Sequence, residues 1–319
     1  MFRSLFNNLA KAGWARNIVA KWSIAWKMAS RFIAGETLAD GIKAIKALND
    51  KGIYATLDHL GENTDSPEKA RQAASDIIQA FDAIEEAGVR ANVSIKLTQI
   101  GLGISNELCL ENLELILEKA KNNNNFVRID MEDSPVTQRT IDILYAARQH
   151  GYENAGIVIQ AYLYRSENDI RKLLVDCFKI RLCKGAYTEP ANVAYPKMQN
   201  INSNYDRCAA LLINNALSKE CPRISSDGKV PPIPGLATHD PKRVEFAKLY
   251  AEKMGLPKDA MEFQMLNGIR RDLQEQLVKE GYCVRVYVPY GTEWYPYFMR
   301  RIAERPADLL FLLPSLNFR

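Results

Sequence analysis

From about residue 52 onward, short apolar runs alternate with longer stretches of helical periodicity. The runs lie at 53–58, 93–97, 126–130, 156–161, 179–183, 235–238, 262–266 and 283–288. Apolar runs of this length, bounded by turn residues, read as strands with both faces covered. Parallel neighbours need a crossover, and each run is separated from the next by a segment long enough to hold a helix. Eight such units close naturally into a barrel. The pattern therefore predicts an α/β protein, a (βα)8 TIM-like barrel over residues 50–319 preceded by a helical segment over 1–49. Helix starts support the reading. Ser66-Pro67, Ser134-Pro135 and Asp240-Pro241 each set a capping oxygen before a proline suited to the first helical position. Ser166 followed by Asp169 resembles a capping box. The run at 235–238 is the least regular, because a proline-rich stretch at 222–234 precedes it.

In the N-terminal segment, Trp14, Ile18, Trp22, Ala25, Ala29, Phe32 and Ile33 share one helical stripe. Arg3, Lys11, Arg16, Lys21, Lys27 and Arg31 all precede the first acidic residue, Glu36. Two readings stand side by side. The stripe packs on the barrel or on a second subunit, making a homo-oligomer, or it lies on an anionic membrane surface as a peripheral contact. Lys11 and Lys21 fall toward the stripe, which weakens the amphipathic case.

Composition narrows the function. The 319 residues are 47% hydrophobic and 25% charged, enough apolar material for a full core. A formal charge of +4 is too mild for a nucleic-acid binder. Six scattered cysteines without a C-x-x-C pair read as reduced thiols rather than a disulfide framework. The lack of an uninterrupted apolar leader points to the cytoplasm, or to the inner face of the membrane if the N-terminal segment binds lipid.

Chemistry gathers at the C-terminal ends of the expected strands, where barrel enzymes build their sites. Lys96, Asp130, Gln160, Arg181 with Lys184, Thr238 with His239, and Tyr287 fall there. One charged strand residue is often a satisfied interior group, but so many together suggest a shared site. Near the C-terminus, Tyr297, Arg300, Arg301 and Glu304 are spaced to share a helical face. Read as arginines early in a helix and a glutamate near its end, they oppose the macrodipole, so function rather than stability accounts for them. Two adjacent guanidiniums suit bidentate capture of a carboxylate or phosphate. Lys184-Gly185-Ala186 sets a charge beside small residues, where an anionic cofactor can approach the backbone. No G-x-G-x-x-G or Walker motif occurs, and the three histidines lack metal-ligand spacing, so no metal is expected. Asp58 with Glu62, or Asp130 with Glu132, offers a weaker reading as a glycosidase carboxylate pair.

Taken together these motifs resemble the proline dehydrogenase family. Tyr297-x-x-Arg300-Arg301-x-x-Glu304 is similar to its Y-x-x-R-R-x-x-E helix. Asp58-His59-Leu60-Gly61-Glu62, Ser94-Ile95-Lys96-Leu97-Thr98, Arg128-Ile129-Asp130-Met131-Glu132, Gln160-Ala161-Tyr162, Arg181-Leu182-Cys183-Lys184-Gly185-Ala186-Tyr187, Ala237-Thr238-His239-Asp240, Glu262-Phe263-Gln264-Met265-Leu266 and Tyr287-Val288-Pro289-Tyr290-Gly291 follow in the same order, covering about 35–306. Length favours the monofunctional form. The resemblance implies a distorted barrel with non-covalent FAD across the strand ends, oxidising L-proline to 1-pyrroline-5-carboxylate and passing electrons to a quinone. It implies that Lys96, Arg300 and Arg301 bind the carboxylate, while Leu266, Tyr287 and Tyr297 wall the ring. It further implies that Met131, Gln160, Arg181, Lys184, Gly185, Ala186, Thr238, His239 and Glu304 contact FAD. Asp130 and Arg181 are the catalytic candidates, and Glu62 is a gate paired with Arg300.

Two departures stand out. Thr188 follows Gly185-Ala186-Tyr187 where bifunctional relatives carry tryptophan, and the stretch 221–235 is longer than the family's usual connection. The latter reads as a surface insertion, with a lid as the alternative. Two other functions compete: a Schiff-base aldolase using Lys96 or Lys184, and a non-catalytic membrane-associated binding protein.

Overall fold

The computed structural model describes residues 26, 28–217 and 223–304. Helix α1 (Leu38–Asn49) leads into the alternation β1 (Tyr54–His59), α2 (Pro67–Glu86), β2 (Ala91–Ile95), α3 (Asn106–Asn122), β3 (Val127–Ile129) and α4 (Ser134–Gln149). It continues with β4 (Ala155–Gln160), α5 (Ser166–Val175), β5 (Lys179–Cys183), α6 (Met198–Ala216), β6 (Pro234–Ala237) and α7 (Pro241–Met254). The last units are β7 (Glu262–Leu266), α8 (Arg271–Lys279), β8 (Cys283–Tyr290) and α9 (Trp294–Glu304). All eight strands pair in parallel and in chain order, and β8 returns to β1 to close the barrel.

Alternation along each strand divides the buried residues into two populations. Ala55 and Leu57, Val93 and Ile95, Ile180 and Leu182, and Phe263 and Met265 join the large apolar core shared with the helices. The residues between them are polar and bond inside the barrel: Thr56 Oγ1 donates to Asn92 Oδ1 on the neighbouring strand at 2.6 Å, and Arg181 on β5 reaches across to Ser94 on β2 at 3.0 Å. Bonds between non-adjacent strands can form only through the interior. The strands are thus apolar outward and polar inward, although both faces are buried.

At the N-terminal end the interior is sealed. Arg285 donates from Nε to both oxygens of Glu262 at 2.9 and 3.0 Å, from Nη1 to Ala55 O at 2.7 Å, and from Nη2 to Gly228 O at 2.7 Å. Asn92 Nδ2 donates to Lys229 O at 3.0 Å. The turn at 225–230, closed by Ser225 N donating to Val230 O at 3.0 Å, is therefore a plug in the barrel floor. Gly228 has φ +71°, and a Cβ there would lie 2.1 Å from the Tyr54 ring. Both expectations for this stretch are corrected over its described part: backbone carbonyls dock it on interior polar groups, at the end opposite to any lid.

Two of the four expected helix starts agree and two do not. Ser66 and Asp240 cap α2 and α7, accepting from Lys69 N at 3.3 Å and Lys242 N at 3.0 Å. Ser134 is not a cap. It lies inside α4, and its N and Oγ donate to Glu189 at 2.7 and 2.5 Å because a carboxylate from the β5 loop outcompetes local capping. Ser166 lies inside α5, because Arg165 is already αR and starts the turn one residue earlier. Ser166 Oγ donates to Leu163 O, and Asp169 is taken by Arg165 at 2.6 Å, so no capping box forms.

Helix α9 corrects a third expectation. It begins at Trp294, so Arg300 and Arg301 fall in its second half, where positive charge agrees with the macrodipole. The dipole argument for function therefore does not hold. Against α9 packs the end of the N-terminal segment: Ala29 and Ile33, both at most 1% exposed, with Trp26 and Phe32, meet Leu60, Trp294, Tyr295 and Phe298. Trp14, Ile18, Trp22 and Ala25 lie outside the described residues.

Candidate active site

A cavity of about 510 Å³ opens at the C-terminal end of the barrel, within the roughly 300–1,000 Å³ typical of small-molecule sites. Its wall contains Lys96, Asp130, Met131, Gln160, Arg181, Lys184, Gly185, Ala186, Thr238, His239, Leu266, Tyr287, Tyr297, Arg300 and Arg301. Sequence reasoning had singled out each of these, and the strand ends and α9 bring them together. Glu62 stands just behind, bonded to Arg300. The Glu304 side chain lies outside the described residues.

On the cavity floor, Arg181 gathers four strands. Its Nε donates to Gln264 Oε1, and its Nη1 donates to Ser94 Oγ at 3.0 Å and to Asp130 Oδ1 at 2.9 Å. The guanidinium carbon lies 5.4 Å from the centre of the Tyr287 ring. Asp130 accepts further bonds from Ser94 Oγ at 3.0 Å and, on Oδ2, from the Tyr287 hydroxyl at 2.7 Å. Both its oxygens are thus engaged. Burial pushes the Tyr287 phenol well above its ordinary range, and the Asp130 and Asp58 charges add to the rise. The phenol stays protonated, with its hydrogen committed to Asp130 and its oxygen available as an acceptor.

Two further ion pairs flank this network. Lys96 Nζ donates to Asp58 Oδ1 and Oδ2 at 2.9 and 3.1 Å, both residues being nearly inaccessible. Burial works to depress the ammonium, yet the Asp58 and Asp130 charges outweigh it and leave the group raised. Arg300 Nη1 donates to Glu62 Oε1 at 2.9 Å; burial opposes its charge, and Glu62 more than compensates. These cations therefore carry their own counter-charges: the Arg300–Glu62 pair agrees with what the resemblance implied, whereas the Lys96–Asp58 pair was not anticipated.

The opposite wall is built differently. Gly185 has φ +122°, and a Cβ there would meet the Tyr162 ring at 2.4 Å, so only glycine fits. Ala186 N donates to Gln160 Oε1 at 3.3 Å. Lys184 Nζ holds Asp240 Oδ2 at 2.7 Å, so Asp240 serves both as helix cap and as the lysine's partner. His239 Nε2 accepts from Leu266 N at 2.9 Å, which leaves a neutral ring protonated on Nδ1.

The chemistry of these groups disfavours the competing enzymes. A Schiff-base lysine needs a depressed pKa, whereas Lys96 is raised and Lys184 is paired. Asp58, Glu62, Asp130 and Glu132 each hold a different donor instead of facing one another as a glycosidase pair. Among the described residues no group of three His, Cys, Asp or Glu could hold a metal.

Residues 41–312 match the family model described as Proline dehydrogenase. The chain belongs to the proline dehydrogenase family. It is 38% identical over 315 residues to proline dehydrogenase 2 of Bacillus subtilis (strain 168), covering 99% of this chain and 98% of the relative. It is 42% identical to the proline dehydrogenase of Deinococcus radiodurans, covering 91% and 90%. Among solved structures, proline utilization A (PutA) from Bdellovibrio bacteriovorus inactivated by N-propargylglycine superposes with a TM-score of 0.79 at 26% identity. The match covers 92% of this chain and 34% of that PutA, so the chain spans about a third of the larger protein. Against a Bradyrhizobium japonicum PutA the TM-score is 0.73 at 22% identity, a likeness of fold. The proline dehydrogenase barrel is thus the architecture observed here.

Several wall residues were not among the site candidates: Tyr187, Asp240 and Gln264, although they lie within the quoted motifs, and Met198, which lies in none. Gln264 carried a usable signal, because Glu262 and Gln264 alternate with Phe263 and Met265 as inward polar positions should.

Proposed function

We propose that the protein oxidises L-proline to 1-pyrroline-5-carboxylate with FAD bound across the strand ends, and passes the electrons to a quinone. The observation that carries the reading is one cavity holding a cationic end, Arg300, Arg301 and Lys96, beside the Tyr287–Asp130–Arg181 network.

The wall suits a flavin by its chemistry. A left-handed glycine and a small Ala186 leave the backbone accessible, and Arg181, Gln160, Lys184, Thr238 and His239 supply donors. Met131 lies with them, and Glu304 is assigned to the same group by resemblance. When bound, the isoalloxazine supplies a two-electron acceptor for hydride. The substrate would lose hydride from ring C5 to the flavin and a proton from nitrogen to solvent, and a C5=N bond would form.

This chain's residues do the rest. Arg300 and Arg301 hold the carboxylate, with Lys96 contributing at longer range because Asp58 already takes its ammonium. Glu62 stays paired with Arg300 Nη1, and the remaining guanidinium donors take the carboxylate, so the pair acts as the gate. Leu266, Tyr287 and Tyr297 wall the pyrrolidine ring and exclude water. Asp130 orients Tyr287, whose hydroxyl oxygen then accepts from the substrate nitrogen, and fixes Arg181 where negative charge develops. With both oxygens occupied, Asp130 acts as an orienter rather than a free base.

No described helix is long and apolar enough to cross a membrane. A lipid-dissolved quinone is then met by peripheral contact at the inner membrane face. The purified protein is expected to show flavin absorbance bleached anaerobically by L-proline, with reoxidation by a quinone. A colourless protein still inactive after FAD is added would end the proposal.

A further inference from the structure

One residue with a buried carboxylate, outside the cavity wall, joins the substrate side of the site through its side chain to the cofactor side through its backbone carbonyl. Glu132 follows Met131 after β3 and is 4% exposed. It takes both donors of one residue: Thr98 N donates to Oε1 at 3.0 Å, and Thr98 Oγ1 donates to Oε2 at 2.5 Å. A hydroxyl has a single proton, so this donation turns the Thr98 oxygen's lone pairs outward, where Asn63 N donates to it at 3.1 Å. Thr98 O accepts from Thr64 N and Thr64 Oγ1, each at 3.1 Å. The next residue, Gln99, donates to His59 O at 3.0 Å, and its amide stands 2.6 Å from where a Gly61 Cβ would be. The segment 59–64 therefore rests on Thr98 and Gln99, and it carries Glu62. On the other side, Glu132 O accepts from Gln160 Nε2 at 2.7 Å, which turns Gln160 Oε1 toward Ala186 N.

We propose that Glu132 is the positioning residue that holds Glu62 against Arg300, acting through Thr98 and the Asn63–Thr64 backbone, and so sets how tightly the substrate subsite closes. Its kinetic consequence rests on the proline-oxidising reading; the hold on the loop does not.

Burial pushes the Glu132 carboxyl up to about 7; the Thr98 bonds and the Lys96 charge work against the rise, and Glu62 adds to it. Tyr187, after β5, and Cys109, on α3, also feel its charge. Neighbouring Glu189 is turned to Ser134 instead. Ionised, Glu132 can only accept, and the Thr98 proton is fixed. Protonated, it can donate to Thr98, the hydroxyl is no longer directed, and the grip on Asn63 slackens. The grip is full above about 7 and is lost as pH falls through that value.

Glu132→Gln keeps the shape but offers the Thr98 hydroxyl a donor in place of an acceptor. In the holoenzyme, KM for L-proline is expected to rise about five- to ten-fold with kcat held within about two-fold, as for one lost charge-assisted bond. In the wild type kcat/KM is expected to inflect near pH 7, and in the variant that inflection should be lost. Amide hydrogen exchange over residues 60–64 should quicken in Glu132→Gln and in Thr98→Val, and stay at the wild-type rate in Thr98→Ser, which keeps the hydroxyl. Unchanged exchange in Glu132→Gln, or a loss of kcat or flavin with KM unmoved, overturns the proposal. Should that variant not fold, unchanged exchange in Thr98→Val does the same. If the wild type fails to turn over L-proline while the exchange differences appear, the function assigned above falls and the loop assignment stands.

Discussion

The two ends of the barrel are both lined with buried charge, yet they use it in opposite ways. At the floor, Arg285 is satisfied by a carboxylate and two backbone carbonyls, and the 225–230 turn closes the space beneath it. At the mouth, Lys96, Arg181 and Arg300 each have one carboxylate partner and border a cavity of about 510 Å³. The same chemical groups make a seal where the chain adds backbone, and a site where it leaves room. A sealed pair fixes the fold. An open pair keeps donors to spare for a ligand.

That contrast can be broken most severely from below. Arg285→Ala leaves Glu262 buried without its cation, held only by the Gln264 Nε2 bond at 2.6 Å, and is expected to cost about 3–5 kcal/mol of stability, measured by urea unfolding. A stable, active Arg285→Ala protein would show that the floor tolerates an uncompensated charge. From above, Arg300→Ala or Arg301→Ala is expected to lower kcat/KM by about 2–5 kcal/mol equivalent with flavin retained and Tm little changed. If instead the mouth variants unfold and keep their kinetics, the two ends have been assigned the wrong way round. The mildest test is Gly228→Ala, which forces a side chain into a positive φ against Tyr54. It should cost about 1–3 kcal/mol in stability while kcat/KM stays at wild type; a drop in activity without one in Tm would connect the plug to the chemistry.

Much of the barrel was legible because outward apolar positions recur every second residue, and every expected strand lies within two residues of an observed one. Site membership was legible too, since strand ends of a barrel converge whatever the details. Pairings were not. Lys96 with Asp58 joins residues 38 apart, and Arg181 with Gln264 residues 83 apart; such partners depend on register and tilt, which no local pattern encodes. The plug was missed for a similar reason, because its docking uses backbone carbonyls that every residue possesses. Misplacing Arg300 and Arg301 on their helix followed from not locating its start at Trp294, ahead of the YxxRR motif. Local competition misled the capping assignments, where Glu189 and Arg165 claimed groups that looked committed nearby.

Helix α9 presents Arg300 and Arg301 to the cavity while its other flank receives Ala29 and Ile33 from the chain's beginning. One rigid rod therefore answers to two clients. Thermodynamic reciprocity then applies: whatever factor the seating of the N-terminal residues contributes to ligand affinity, the ligand returns to their seating. Occupancy of the mouth becomes visible far from it, as protection of residues 26–33 from proteases, and trimming those residues becomes a way to tune affinity without touching a single group in the cavity.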